Sequence, residues 1–90
     1  MGARVLWGVY LTDGLIARMG GTGRGLYLTS TVIDRLDYFG TAEASMDYGT
    51  AVSMARRLSV SYGEVAVIRW SSCGSGATVA ICYRNGQEVR

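Results

Sequence analysis

Residues 64–70 (EVAVIRW) and 78–84 (TVAICYR) are two strand-forming runs of equal length joined by a Gly/Ser-rich linker, residues 71–77 (SSCGSGA). Both runs are built from β-branched, aromatic and small apolar residues, and the linker has no strand-forming character of its own, so the segment predicts a β-hairpin. Side chains alternate across a strand. One face then carries Ala66, Ile68 and Trp70 opposite Val79, Ile81 and Tyr83, an apolar set that needs cover. The other face carries Val65, Val67 and Arg69 with Ala80, Cys82 and Arg84, half apolar and punctuated by arginine. A sheet with one apolar face buries it under another element.

The sequence supplies one covering helix. Asp47 is placed to cap its N-terminus, with Met46 and Ala51 as a weak hydrophobic staple. Ala51, Met54, Ala55, Leu58 and Tyr62 recur at spacings of three and four, which puts them on one helical face, with Ser53, Arg56 and Arg57 on the other. Gly63 stops the helix. Upstream, residues 4–11 (RVLWGVYL) read as a strand, with Val5, Trp7, Val9 and Leu11 inward and Arg4, Leu6 and Tyr10 outward. Thr12-Asp13-Gly14 is a hairpin signal, so residues 15–19 are expected to return as a second strand. Residues 20–25 (GGTGRG) form a flexible loop, and residues 26–31 have strand character. Residues 32–39 fit either a strand or one helical turn, and extended structure is the preferred reading. Asn85-Gly86 ends the last strand, leaving residues 87–90 as a frayed tail. The expected fold is α+β: one domain, residues 1–90, with a small antiparallel sheet of four to five strands and one amphipathic helix packed on one face.

Composition narrows the function classes. The chain has 90 residues, 49% apolar and 18% charged, which argues for a folded globule. At this length a chain buries roughly 60–65% of its unfolded surface, enough for one modest core. So little charge leaves apolar area exposed, and contiguous exposed apolar area marks interaction sites. Histidine, lysine and proline are all missing. That removes the usual neutral-pH general base, the commonest metal ligand, Schiff-base chemistry and a Walker-type phosphate loop. All nine cations are arginines, which with abundant Gly, Ala and Val suggests a GC-rich genome. Arginine is also the better cation for planar and stacked interface contacts. A net charge of +2 without a basic run gives no nucleic-acid signature. The run at 5–11 is too short for a membrane span and is followed by Asp13-Gly14 rather than a cleavage site, so a cytoplasmic protein is expected.

Individual candidates for chemistry each have a plain structural explanation. The Gly20–Gly25 loop offers backbone N–H groups to an anion, with Arg24 as the contact residue at its tip, but it lacks a Gly-Lys-Ser/Thr ending and reads as a connector. Cys73 has no histidine to activate it, and Cys82 reads as a small hydrophobe in a strand. The carboxylates of Asp34, Asp37, Glu43 and Asp47 read as loop charges and a helix cap. No enzyme, metal or cofactor is expected. The feature left is arginine with aromatics on a strand face: Tyr10, Arg69 and Arg84, with Arg4, exposed together as a partner-binding surface, since Arg and Tyr are enriched at interface hot spots.

From residue 26 to 70 the order of features resembles small phage-encoded accessory proteins of strand–helix–strand type, some of which are anti-CRISPR proteins. The parts are Tyr27-Leu28-Thr29, Phe39, Thr41-Ala42-Glu43-Ala44, the helix with Ala51 and Ala55, and the run at 64–70. The resemblance covers about half the chain, and the N-terminal hairpin and last strand depart from it. It transfers no functional residue. It implies a non-enzymatic protein that binds and inhibits a host macromolecular complex, a protein or ribonucleoprotein, in the host cytoplasm. The alternative is a small RNA- or DNA-binding module using Arg24, Arg69 and Arg84 with Tyr10. An open hairpin edge also allows a homodimer beside the monomer.

Overall fold

The computed structural model describes residues 5–39, 47–71 (the side chain of Ser71 excepted) and 76–90. Its elements are β1 (Val5–Leu11), α1 (Leu15–Met19), β2 (Tyr27–Thr29), α2 (Ser30–Ile33), β3 (Asp37–Tyr38), α3 (Tyr48–Tyr62), β4 (Glu64–Ser71), β5 (Gly76–Arg84) and β6 (Gln87–Glu88). The strands form one sheet in the order β2-β5-β4-β1-β3, with β6 also on β5, and every pairing is antiparallel. The fold is α+β.

The β4–β5 hairpin runs from Glu64 opposite Arg84 to Trp70 opposite Ala77. A bulge interrupts it: Val67 faces Ile81 but Ile68 faces Val79, so Ala80 is the extra residue. This changes which face α3 covers. Ala51 and Ala55 of α3 pack on Val9, Val65, Val67, Ile81 and Tyr83, with Trp7 and Leu11 at the margin. Ala66, Ile68 and Val79 point to the opposite face, beside Tyr10, Ala77 and Cys82, under Ile16, Leu28 and Ile33. The sequence reading put Ala66, Ile68, Trp70 and Val79 beneath the helix. It failed because Val65 to Ile68 is apolar on both faces, so alternation has no preferred phase there, and because the bulge moves Val79 away from Ile81.

α3 follows its expected limits. Asp47 Oδ1 accepts from the Thr50 amide at 2.7 Å, and Gly63, at φ 97°, ends the helix. Its buried stripe is Ala51, Ala55 and Ser59, small side chains that let the helix lie close to the sheet. Tyr62 departs from the expected apolar face: it is 56% exposed, its ring against Phe39 at 5.1 Å. Met46 lies outside the described residues.

Residues 15–19 are helical, not the returning strand. Asp13 (φ 49°) and Gly14 (φ 82°) do make a tight left-handed turn. The positions beside β1 are filled by β4 on one side and by β3 on the other, at Tyr10 opposite Tyr38 and Leu11 opposite Asp37. The chain turns instead into α1, buries Ile16, and gives its first-turn amides of Ile16 and Ala17 to the Glu64 carboxylate. In the next stretch only residues 27–29 are strand. Thr29 Oγ1 then accepts from the Val32 amide to start α2, and residues 37–38 return to extended structure. The preferred extended reading of residues 32–39 is corrected to a helical turn followed by a short strand. Residues 87–90 are not a frayed tail. Asn85 (φ 53°) and Gly86 (φ 82°) form the two-residue turn that Asn-Gly favours, and β6 pairs back on β5. Val89 donates its amide to Cys82 O and packs on the core.

Candidate functional site

The register aligns one row of side chains across four strands. Trp7 of β1 faces Arg69 of β4, Arg69 faces Thr78 of β5, and Thr78 faces Tyr27 of β2. Directly paired residues share a face. Trp7 packs with the α3-side core, so the whole row lies on the α3 face. The helix covers the other half of that face. Its first residue, Tyr48, sits on Trp7 with ring centroids 4.8 Å apart and planes inclined by 56°, an ordinary tilted aromatic pair. The result is a surface strip with Tyr27 (55% exposed) at one end, Trp7 and Tyr48 (42% exposed) at the other, and the exposed Arg69 between them. Val5, two residues before Trp7 on the same face, extends the apolar end and is 40% exposed.

Gly76 lets the Tyr27 end of this strip form. A Cβ there would stand 2.5 Å from Leu28 O, with the Tyr27 side chain closer still, so β2 approaches β5 only because that position has no side chain.

The structure separates the residues that the sequence grouped as one surface. Arg69 is on the α3 face, whereas Arg84, opposite Glu64, is on the other. Tyr10 faces Ala66, is 9% exposed and belongs to the second core cluster with Trp70 and Tyr38 around it. Burial raises its pKa, which the hydrogen bond with Trp70 only partly offsets. A shared exposed face of Tyr10, Arg69 and Arg84 is therefore corrected. Arg4 and Cys73 lie outside the described residues. Cys82 is a buried free thiol, its pKa pushed up to about 12 chiefly by burial.

Arg24 lies on a third surface, at the outer edge of β5, where its guanidinium pairs with Glu88. The loop that carries it is tied down through three of its own amides. Gly25 N donates to Val79 O, Arg24 N to Thr22 Oγ1, and Gly20 N to Ala17 O. Glu88 also faces Arg90 at 3.6 Å. Arg56 of α3 lies over the Tyr83 ring, 5.3 Å from its centroid.

Sequence reasoning missed Glu64. It is 4% exposed and its carboxylate accepts from Thr12 Oγ1 (2.6 Å), the amides of Ile16 (2.8 Å) and Ala17 (3.1 Å), and Arg84 Nη2 (2.9 Å). Burial works to raise its pKa, but the bonds from Thr12, Arg84, Ile16 and Ala17 outweigh it and hold the carboxyl below its ordinary value. With every donor satisfied, this group organises α1 against the sheet. The one signal in sequence was a carboxylate opening a strand whose next four residues are apolar. Among the described residues no three His, Cys, Asp or Glu side chains gather as a metal set, and no helix is long and apolar enough to cross a membrane.

Comparison with protein-family models, with curated proteins and with solved structures finds no match to this chain.

Proposed function

We propose that this chain is a non-catalytic binding domain that inhibits a host macromolecular complex in the host cytoplasm, as a phage accessory protein of anti-CRISPR type does. It docks through the strip Tyr27–Arg69–Trp7–Tyr48. The observation that carries this reading is the register row Trp7–Arg69–Thr78–Tyr27, with Tyr48 of α3 seated on Trp7, which sets an exposed arginine between the exposed rings of Tyr27 and Tyr48 on a half-covered sheet face. Trp, Tyr and Arg are the residue types that dominate binding energy when they become desolvated in an interface. Held on paired strands and on the first turn of α3, they also lose little further conformational freedom on binding. Arg69 is the central contact, offering a planar fork of donors to a carboxylate or phosphate of the partner complex.

The same row supports a second reading. Aromatics and an arginine on an open strand surface are what single-stranded nucleic acid uses for base stacking. Salt separates the two. Affinity capture of host complexes with the wild-type chain, repeated with Arg69→Ala and Tyr48→Ala, is expected to recover a stoichiometric complex only with wild type. Oligonucleotide binding that weakens steeply with salt, with no protein recovered, would move the assignment to nucleic acid. Equal recovery by all three chains would show that the strip is not the docking surface.

A further inference from the structure

At the opposite end of α3 lies a depression of about 480 Å³ lined by Arg56, Tyr83, Gly86, Gln87, Glu88 and Arg90. We infer that it is a binding site for a phosphate group. Two guanidinium groups, those of Arg56 and Arg90, line it, and a third, Arg24, pairs with the lining residue Glu88. Arg56 lies on the face of Tyr83, a ring that is itself only 2% exposed and cannot move away. Arg24 pairs with one oxygen of Glu88, and the exposed Arg90 stands 3.6 Å from the other. One carboxylate against the two lining guanidinium groups leaves one positive charge in the hollow, with Arg24 beside it. Glu88 orients Arg24 through one oxygen and draws Arg90 to the same rim through the other.

A guanidinium has five N–H donors and each of these uses only part of its fork, so unspent donors remain at the rim. Phosphate is the anion that suits them: it accepts several charge-assisted bonds at once and matches the fork in a bidentate manner. The floor is fixed as well. The Asn85-Gly86 turn is anchored to α3 through Gly86 N to Ser59 Oγ at 2.8 Å, so the β6 side and the helix side of the hollow move together. Tyr83 is covered by Arg56 and offers no face for stacking, so recognition is of phosphate, not of a base. The site shares no residue with the Tyr27–Arg69–Trp7–Tyr48 strip.

The test is a ¹H–¹⁵N titration of the full chain with inorganic phosphate, against sodium chloride at matched ionic strength. Saturable shifts at the Gln87 and Glu88 amides and the Arg56 Nε–H, seen with phosphate and not with chloride, are expected. Arg56→Gln and Arg90→Gln should each weaken binding at least threefold while the rest of the spectrum stays in place, and Arg69→Ala should leave it unchanged. A parallel titration with a short single-stranded oligonucleotide identifies the source. Binding at the same residues tenfold or more tighter than phosphate assigns the site to strand phosphates; binding no tighter assigns it to a small free phosphate. Shifts that match those in chloride, or that survive both glutamine substitutions, overturn the inference.

Discussion

Replacing Glu64 with alanine removes the common acceptor of four donors at the junction of β1, α1, β4 and β5. Arg84 is 42% exposed, so its share of the loss stays near the ~0–1 kcal/mol of a solvated pair. The Thr12 hydroxyl and the two amides are in the interior or at its margin, and a buried donor left unsatisfied costs about 1–3 kcal/mol. Allowing for partial rescue by water at Ala17, the sum is about 3–5 kcal/mol, the range for opening a buried ion pair by truncating one partner. A 90-residue domain at roughly 0.05–0.15 kcal/mol per residue holds only about 5–13 kcal/mol in total. Urea unfolding followed by tryptophan fluorescence should therefore show a greatly reduced midpoint. The melting temperature should fall by more than about 12 °C, at ~4–8 °C per kcal/mol for this size. Glu64→Gln keeps one acceptor oxygen but turns an NH₂ toward donors, and should lose about 2 kcal/mol. Should the alanine variant fail to fold, that milder variant still gives the measurement. A loss below about 1 kcal/mol in either variant would show that the carboxylate does not organise α1.

Further outcomes follow from the same contacts. The Glu64 carboxyl is depressed in the folded protein, so its stabilisation is fully present above the unfolded value near ~4.3 and is lost as pH falls through the folded value. An acid titration of stability should show this limb in wild type and lack it in Glu64→Gln. Cys82 is pushed up to about 12, so a thiol reagent at pH 8 should label it only at the rate of unfolding; rapid labelling of the native protein at Cys82 would contradict its burial. Gly76→Ala should push β2 off β5 at a cost of about 1–3 kcal/mol, with the largest amide-shift changes at Tyr27 to Thr29; a neutral substitution would mean that β2 is not docked as described.

The parts legible in the sequence were those with a local cause. Asp47 and Gly63 bound α3 because caps are set by one residue and its neighbours. The β4–β5 hairpin follows from two strand-forming runs on either side of a Gly/Ser-rich stretch, though the strands reach into that stretch at Ser71, Gly76 and Ala77. What escaped was decided at long range. Residues 15–19 became α1 because Glu64, 48 residues from Ile16, supplies the acceptor for its first amides. The face of β4 was illegible because Val65 to Ile68 has no polar side and both faces are covered. The Asn85-Gly86 signal was present in the sequence and was read as an end where it is a turn. For the candidate site, Arg69 was identified from sequence, but Tyr27, Trp7 and Tyr48 join it only once the register of β1, β2, β4 and β5 is fixed. A bulge sets part of that register, and alternation alone does not reveal it.

The row across the α3 face is tested by titrating the captured host complex with wild type, Tyr48→Ala, Arg69→Ala and, as a control, Arg35→Ala in the exposed turn after α2, the helix that packs on the other face of the sheet. Tyr48→Ala and Arg69→Ala are each expected to weaken affinity at least tenfold, about 1.4 kcal/mol, while Arg35→Ala binds as wild type does and all four chains melt alike. Equal affinities for Arg69→Ala and wild type, or a loss as large in Arg35→Ala, would contradict the docking role of the row.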